Sequence, residues 1–208
     1  MRLPKTATVV ITIVTSVVWL LTALIGAQDR ASIILGVIPA RLSGFIDIHP
    51  AVPAWLTPLS STLAHGGAVH LALNMLMLVW CGTKVERILG AGPLVFLYIV
   101  GAFTAAVAQW IASPMSPTPM IGASGAISAV IGAFALSFGE QKRLVSSPGL
   151  NRALNSLWLL AAWVVLQMMT GLLAGTQGYL LATPAHIGGF VAGLLLQRPL
   201  LLWRYRKA

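Results

Sequence analysis

The 208-residue sequence contains few charged residues, and acidic ones are especially scarce. Asp, Glu, Lys and Arg together make up only 8% of the chain, with four acidic residues against 13 basic ones, whereas hydrophobic residues make up 58%. Soluble domains typically have about 25% charged residues. The composition therefore excludes an ordinary water-soluble enzyme and indicates an integral, multi-pass membrane protein.

Cysteine is nearly absent as well. Cys81 is the only one, so a disulfide within the chain is impossible. A lone thiol flanked by apolar residues is most often a small buried hydrophobe, and we assign Cys81 no role.

Long apolar runs are abundant, and each is near the length that a membrane helix requires, about 20 residues. Six such segments leave little room for a soluble domain, so the sequence predicts one all-α transmembrane domain over residues 1–208, folded as a six-helix bundle. The longest connection, residues 28–65, is expected to lie on the membrane surface. The predicted helices span about residues 8–27, 66–85, 93–112, 122–138, 153–174 and 184–203.

The net charge of +9 would suit a nucleic-acid partner, but the positions of the basic residues favour a lipid bilayer instead. All of them except Arg30 and Arg41 fall at the N-terminus, in the even-numbered connections or at the C-terminal end. The positive-inside rule then predicts that both termini are cytoplasmic and that segments 2, 4 and 6 begin on the outer side. We expect no nucleic-acid partner.

Two polar residues stand where apolar segments begin. Ser124 lies in Ile-Gly-Ala-Ser-Gly-Ala at 121–126, and His186 lies in Pro-Ala-His-Ile-Gly-Gly at 184–189. The predicted topology places both near the outer side at similar depth. A histidine can take the proton of a serine, which is otherwise a poor nucleophile, so the pair predicts hydrolysis inside the membrane.

The scarcity of acidic residues favours a Ser-His dyad over a triad. Asp29 and Asp47 precede segment 2, while Glu86 and Glu140 map to the cytoplasmic side. No carboxylate is therefore expected to orient His186.

Donors for a developing oxyanion are expected from segment 2 and segment 4. His70 and Asn74 stand one helical turn apart, so they share a face. Their side-chain N–H groups and the backbone N–H of Ser124, near a helix N-terminus, are suitable donors.

Small residues predict close contact between segments 4 and 6. Ser124, Ser128 and Gly132 form one stripe, and Gly189 and Gly193 form another after His186. Such stripes are common in membrane bundles and by themselves indicate only packing.

The sequence offers three rival interpretations. In the first, His65, His70 and His186 are zinc ligands, but the five-residue spacing puts His65 and His70 on different helix faces, and no HExxH motif or nearby carboxylate is present. No metal is therefore expected. A transporter would be expected to show internal repeats or charged intramembrane residues, which the sequence lacks. A protein that binds membrane helices without cutting them stays open as the alternative.

The motifs together resemble the rhomboid family of intramembrane serine proteases over nearly the whole chain. The similar residues are His65-x4-His70-x3-Asn74, Glu86-x3-Gly90, Gly122-x-Ser124-Gly125 and Ala185-His186-x2-Gly189-x3-Gly193. The resemblance implies an endopeptidase that cleaves other membrane proteins in or near their transmembrane segments, without metal, ATP or any other cofactor. A bacterial plasma membrane is the expected location. Neither a particular substrate nor an oligomeric state is indicated.

The same resemblance assigns roles to residues. It implies Ser124 as nucleophile, His186 as base, and His70 and Asn74 as the lining of the oxyanion hole. Structural support is implied for the remaining motif residues: His65, which would hold a loop, Glu86, Gly122, Gly125, Gly189 and Gly193.

The chain departs from the family pattern at two places. Several members carry a tyrosine at the position of Ser128, where its ring stacks on the catalytic histidine, so another feature, such as packing at Gly125 and Gly189, must orient His186. The first connection has Trp55 without the adjacent arginine common in the family, which leaves its anchoring open.

Overall fold

A computed structural model describes residues 6–138, 145–173 and 182–206, without the side chains of residues 170–173. This part of the chain is helical with no β-strand, which confirms the all-α class. Several basic residues that carry the orientation argument lie outside these ranges, so both termini being cytoplasmic stays a prediction. The long helices are α1 (Ala7–Leu24), α2 (Ala68–Leu89), α3 (Ala91–Ala112), α4 (Ser124–Phe138), α5 (Pro148–Leu173) and α6 (Thr183–Arg204).

Five of these described helices are long and apolar enough to cross a membrane, and α4, with 15 residues, is shorter. The chain is thus a multi-pass membrane protein. The observed bounds differ from the predicted ones by a few residues. α4 begins at Ser124 rather than 122, because Gly122 takes a φ of +108°, a left-handed conformation outside a helix. α5 begins earlier, at Pro148, whose fixed φ suits a first helical position.

α2 is joined to the start of α1 by a buried carboxylate. Glu86 Oε1 accepts a hydrogen bond from the backbone N–H of Ala7 at 2.8 Å, and Oε2 accepts from the Thr8 N–H at 3.0 Å and the Thr8 hydroxyl at 2.6 Å. These are N–H groups that a helix leaves without internal partners. Glu86 therefore caps α1 and ties the end of α2 to it.

The first connection holds a helix at Gln28–Leu35, followed by single helical turns at Pro39–Leu42, Ala54–Leu56, Thr57–Ser60 and Ser61–Leu63. Its backbone pairs with the non-helical stretch before α4: Val37 and Met120 exchange two hydrogen bonds of 3.0 and 2.8 Å. Irregular backbone at membrane depth requires such protein partners. Arg41 Nη2 donates to the Val52 carbonyl at 3.1 Å and so joins two parts of this connection. This arginine is not next to Trp55 in the sequence, and the Trp55 side chain is exposed.

α4 is the central helix, with eleven of its residues buried between α3 and α6. Glycine allows its backbone to touch α6. A Cβ added at Gly189 would collide with the Gly125 carbonyl oxygen, and one at Gly193 would collide with the Ala129 carbonyl oxygen. Gly125 itself leaves room for Ala105 of α3. This close helix pair positions the beginnings of α4 and α6 side by side.

Candidate active site

Ser124 and His186 meet at the adjoining ends of α4 and α6. Ser124 is the first residue of α4, and His186 lies in the first turn of α6. The His186 Nε2 atom is 2.9 Å from the Ser124 Oγ atom, although the residues are 62 positions apart. Each is 6% exposed. At this separation the imidazole can take the hydroxyl proton directly.

No carboxylate contacts the other side of the imidazole in the described part of the chain. His186 Nδ1 is buried and has no hydrogen-bond partner there. Glu86 is engaged by α1. The arrangement is consistent with a dyad.

His70 lies beside Gly122, two residues before Ser124. A Cβ at Gly122 would be 2.8 Å from both the Cε1 and Nε2 atoms of the His70 ring, so only glycine fits next to this histidine. The structure thus brings His70 to the same end of α4 as Ser124. Gly122 is held there by its N–H, which donates to the Ser61 carbonyl at 3.0 Å.

Asn74 is fully buried one turn after His70. One hydrogen of its Nδ2 group is donated to the His70 carbonyl at 2.9 Å, while its Oδ1 has no partner in the described part of the protein. An amide nitrogen carries two hydrogens, so the second stays available. As the first residue of α4, Ser124 also has a backbone N–H without an acceptor in its own helix.

His65 lies before α2 and connects two helices. Its carbonyl accepts the Trp19 indole N–H at 3.0 Å, and its Nε2 accepts the Ala123 backbone N–H at 3.4 Å. Burial lowers the pKa of His65 to about 3, so the ring is neutral at physiological pH and can accept this hydrogen bond. His65 contacts His70 edge to face, with ring centroids 5.0 Å apart. These contacts tie the residues before α2 to α1 and to the beginning of α4.

Trp163 of α5 is a residue that the sequence analysis missed. Its indole N–H donates to Ser128 Oγ at 2.8 Å, and the Ser128 hydroxyl donates to the Ser124 carbonyl at 2.7 Å. Its ring meets the His186 ring in a T-shaped arrangement with centroids 6.3 Å apart. No local motif marks this tryptophan, because its two partners lie on other helices. Trp163 of α5 thus places an aromatic ring beside His186, whereas Ser128 has none.

A small cavity of about 10 Å³, roughly the space of one water molecule, adjoins Ser124 on the side of the first connection. It is bordered by the polar side chains of Ser61 and Thr62 and by Gly122 and Gly125. No three His, Cys, Asp or Glu side chains of the described ranges are placed so that they could hold a metal ion.

Comparison with known proteins gives related sequences. Rhomboid protease GluP of Bacillus subtilis is 29% identical over 140 residues, which cover 67% of this chain and 25% of that protein. RHOMBOID-like protein 4 of Arabidopsis thaliana is 32% identical over 146 residues, 69% of this chain and 34% of that protein. Rhomboid protease GlpG of Pectobacterium atrosepticum is 30% identical over 139 residues, which cover 66% of this chain and 45% of that protein. The chain thus spans less than half the length of each of these relatives.

A family model, the Rhomboid domain, matches residues 53–203. The match runs from the end of the first connection to the end of α6 and includes Ser124, His186, His70 and Asn74. It covers well over half of the chain and confirms the resemblance inferred from the motifs. This multi-pass membrane chain belongs to the rhomboid family.

Proposed function

We propose that this chain is an intramembrane serine endopeptidase that cleaves transmembrane segments of other membrane proteins with a Ser124–His186 dyad. The observation that carries the proposal is the 2.9 Å approach of His186 Nε2 to Ser124 Oγ in a buried site. Membership of a family whose named relatives include rhomboid proteases supports it.

In the first half of the reaction, His186 Nε2 takes the proton from Ser124 Oγ as the oxygen attacks the scissile carbonyl carbon. The tetrahedral intermediate collapses when the imidazolium returns that proton to the leaving amine. The products of this half are an ester on Ser124 and a released amine fragment. In the second half, His186 takes a proton from a water molecule as the water oxygen attacks the ester carbon. The imidazolium returns that proton to Ser124 Oγ when the ester bond breaks, and the acid fragment leaves.

Charge that develops on the carbonyl oxygen needs donors set in place beforehand. We assign this role to the Ser124 backbone N–H, the remaining Asn74 amide hydrogen and the His70 ring N–H. Removal of one such donor typically costs about 100- to 1000-fold in kcat. The expected loss for Asn74→Ala lies in that range. His65, Gly122, Gly125, Gly189, Gly193 and Glu86 would support this geometry without contacting the substrate.

The proposed substrate reaches the dyad from the lipid bilayer. In the proposed orientation Ser124 lies near the outer side of a bacterial plasma membrane, and both termini of the chain are in the cytoplasm. This orientation is testable because the one native thiol, Cys81, is buried. In a Cys81→Ala background, an impermeant maleimide added to intact cells should label Asp47→Cys in the first connection. It should not label Tyr205→Cys at the end of α6. The opposite pattern would reverse the topology.

The proposed activity is tested with purified protein in lipid vesicles and a fluorescent transmembrane reporter. Wild type should cleave the reporter, and Ser124→Ala and His186→Ala should each lose activity by at least about 1000-fold. Ser146→Ala and His49→Ala, at exposed positions, are matched controls that should keep the activity. Since no metal is expected to take part, EDTA should leave the rate unchanged, whereas a metallohydrolase would lose it.

The alternative is a protein that binds membrane helices without cutting them. It would be favoured by a folded wild type that binds the reporter as well as Ser124→Ala does and releases no product. Melting temperatures of all variants, measured in the same lipid, show whether a loss reflects chemistry or unfolding.

A further inference from the structure

We infer that Trp163 of α5 is a positioning residue for His186, which it holds with its ring while its indole N–H is fixed by Ser128. The inference rests on the proposed dyad and adds a residue to it. Trp163 does not touch the reacting atoms, so its effect on the reaction would pass through His186.

The first observation is that Trp163 is rigidly placed. Its side chain is 2% exposed, and its N–H is bonded at 2.8 Å to Ser128 Oγ, itself fully buried. The Ser128 hydroxyl in turn donates to the carbonyl of Ser124. A hydrogen-bonded chain thus joins the indole of α5 to the backbone of the nucleophile. An aromatic ring with its polar atom satisfied in this way has a defined orientation.

The second observation is that the ring of His186 has no hydrogen bond to a second side chain among the residues that the structure describes. Its Nε2 faces Ser124, and its Nδ1 has no hydrogen-bond partner among the described residues. In a triad, a carboxylate at that nitrogen fixes the ring and its tautomer. Here the orientation of the His186 ring depends on packing. The Trp163 ring packs against it with ring centroids 6.3 Å apart and an interplanar angle of 73°.

The third observation is that Trp163 is the only apolar residue of α5 that is buried, among those whose side chains the structure describes; the other buried residues, Asn151, Ser156 and Gln167, are polar. Leu157, Trp158 and Val165 of the same helix are more than half exposed, with Trp158 at 72%. A tryptophan that served only to face lipid would resemble Trp158. Trp163 instead turns inward at the level of the dyad, which makes Trp158 a natural control on the same helix.

The ring of Trp163 and its N–H group can be tested with two different substitutions. Trp163→Phe keeps a ring beside His186 but loses the bond to Ser128, whereas Trp163→Leu loses both. If His186 is misplaced, the reaction slows because small displacements at a reacting centre cost up to about 100-fold. We expect a loss of about 10- to 100-fold for Trp163→Leu and about threefold to tenfold for Trp163→Phe, mainly in kcat with KM nearly unchanged.

The experiment measures the rate at which a fluorophosphonate labels Ser124, beside reporter cleavage and the melting temperature. Labelling should slow in the order wild type, Trp163→Phe, Trp163→Leu, with Trp158→Leu at the wild-type rate. Leu160→Ala, a truncation of a partly buried residue in α5, controls for simple destabilisation. It should lower the melting temperature without slowing labelling to the same extent.

A double-variant cycle tests the hydrogen-bonded chain. Because both changes break the same Trp163–Ser128 bond, Ser128→Ala combined with Trp163→Phe should slow labelling less than the product of the two single effects. The inference would be overturned if Trp163→Leu were labelled at the wild-type rate. It would also be overturned if Leu160→Ala, with the same melting temperature as Trp163→Leu, were labelled equally slowly. Failure of the wild type itself to label, or labelling of Ser124→Ala, would instead reject the proposed dyad.

Discussion

Helices α4 and α1 have similar hydrophobicity but opposite relations to the rest of the protein. α4 is buried on nearly all sides, and its contacts with α6 depend on small residues such as Gly125 and Gly189. α1 has only two buried residues, Thr8 and Thr15, and turns its large side chains outward, with Leu21 58% exposed. In a membrane, apolar side chains gain little by leaving lipid, so small and polar residues mark the inward faces.

The helices also differ in how they are held. α4 is held by backbone contact along its length, whereas α1 is held by the Glu86 cap at its start and by the Trp19 bond to His65. His65 lies between the two, because its ring accepts the Ala123 N–H just before α4. Changes at these three places should therefore affect activity and stability to different degrees.

The largest effect is expected from one methyl group between α4 and α6. Gly189→Ala would place its Cβ against the Gly125 carbonyl and separate the helices that carry Ser124 and His186. We expect about a 100-fold loss of reporter cleavage, together with a destabilisation of roughly 1–3 kcal/mol. Gly92→Ala in α3, where a Cβ meets nothing within 4 Å, is the matched control and should leave both unchanged. Full activity in Gly189→Ala would show that contact between these helices does not set the dyad.

A smaller effect, on stability more than chemistry, is expected at the α1 cap. Glu86→Gln loses the charge that faces three donors of Ala7 and Thr8, which should destabilise the fold by about 1–3 kcal/mol. The labelling rate of Ser124 should stay within about threefold of wild type at a temperature where the variant is folded. Leu21→Ala, on the outward face of α1, should leave the melting temperature nearly unchanged. A larger loss in Leu21→Ala than in Glu86→Gln would contradict the view that polar contacts hold this helix.

The effect expected to be smallest at neutral pH involves His65, and it grows as pH falls: a dependence of stability on pH. Because burial lowers its pKa to about 3 from 6.5, the unfolded chain binds a proton before the folded one does. The free energy of unfolding should therefore fall as pH decreases from about 6.5 towards 4. His65→Gln can place an amide oxygen near the position of Nε2, and so retain an acceptor for the Ala123 N–H, but it cannot titrate, so its melting temperature should vary less over this range. Equal slopes for wild type and variant would place the pH dependence elsewhere.

Much of the site was predictable because its residues stand in local motifs. The order and spacing around Ser124, His186 and His70 predicted the dyad and its neighbours, and the family match confirms the resemblance drawn from them. The beginning of α4 was predicted less accurately. Gly122 adopts its left-handed conformation beside His70, and no feature of residues 121–126 shows where that histidine lies.

The amino-acid sequence by itself determined that the chain is a helical membrane protein of the rhomboid family, because apolar runs of span length and spaced polar motifs are local properties. Only the tertiary structure decided the partners of Glu86 and Trp163. Glu86 binds Thr8 across 78 positions, and Trp163 binds Ser128 across 35. Contacts between helices depend on rotation and tilt, and lipid-facing and buried apolar residues look alike in a sequence because both environments favour the same side chains.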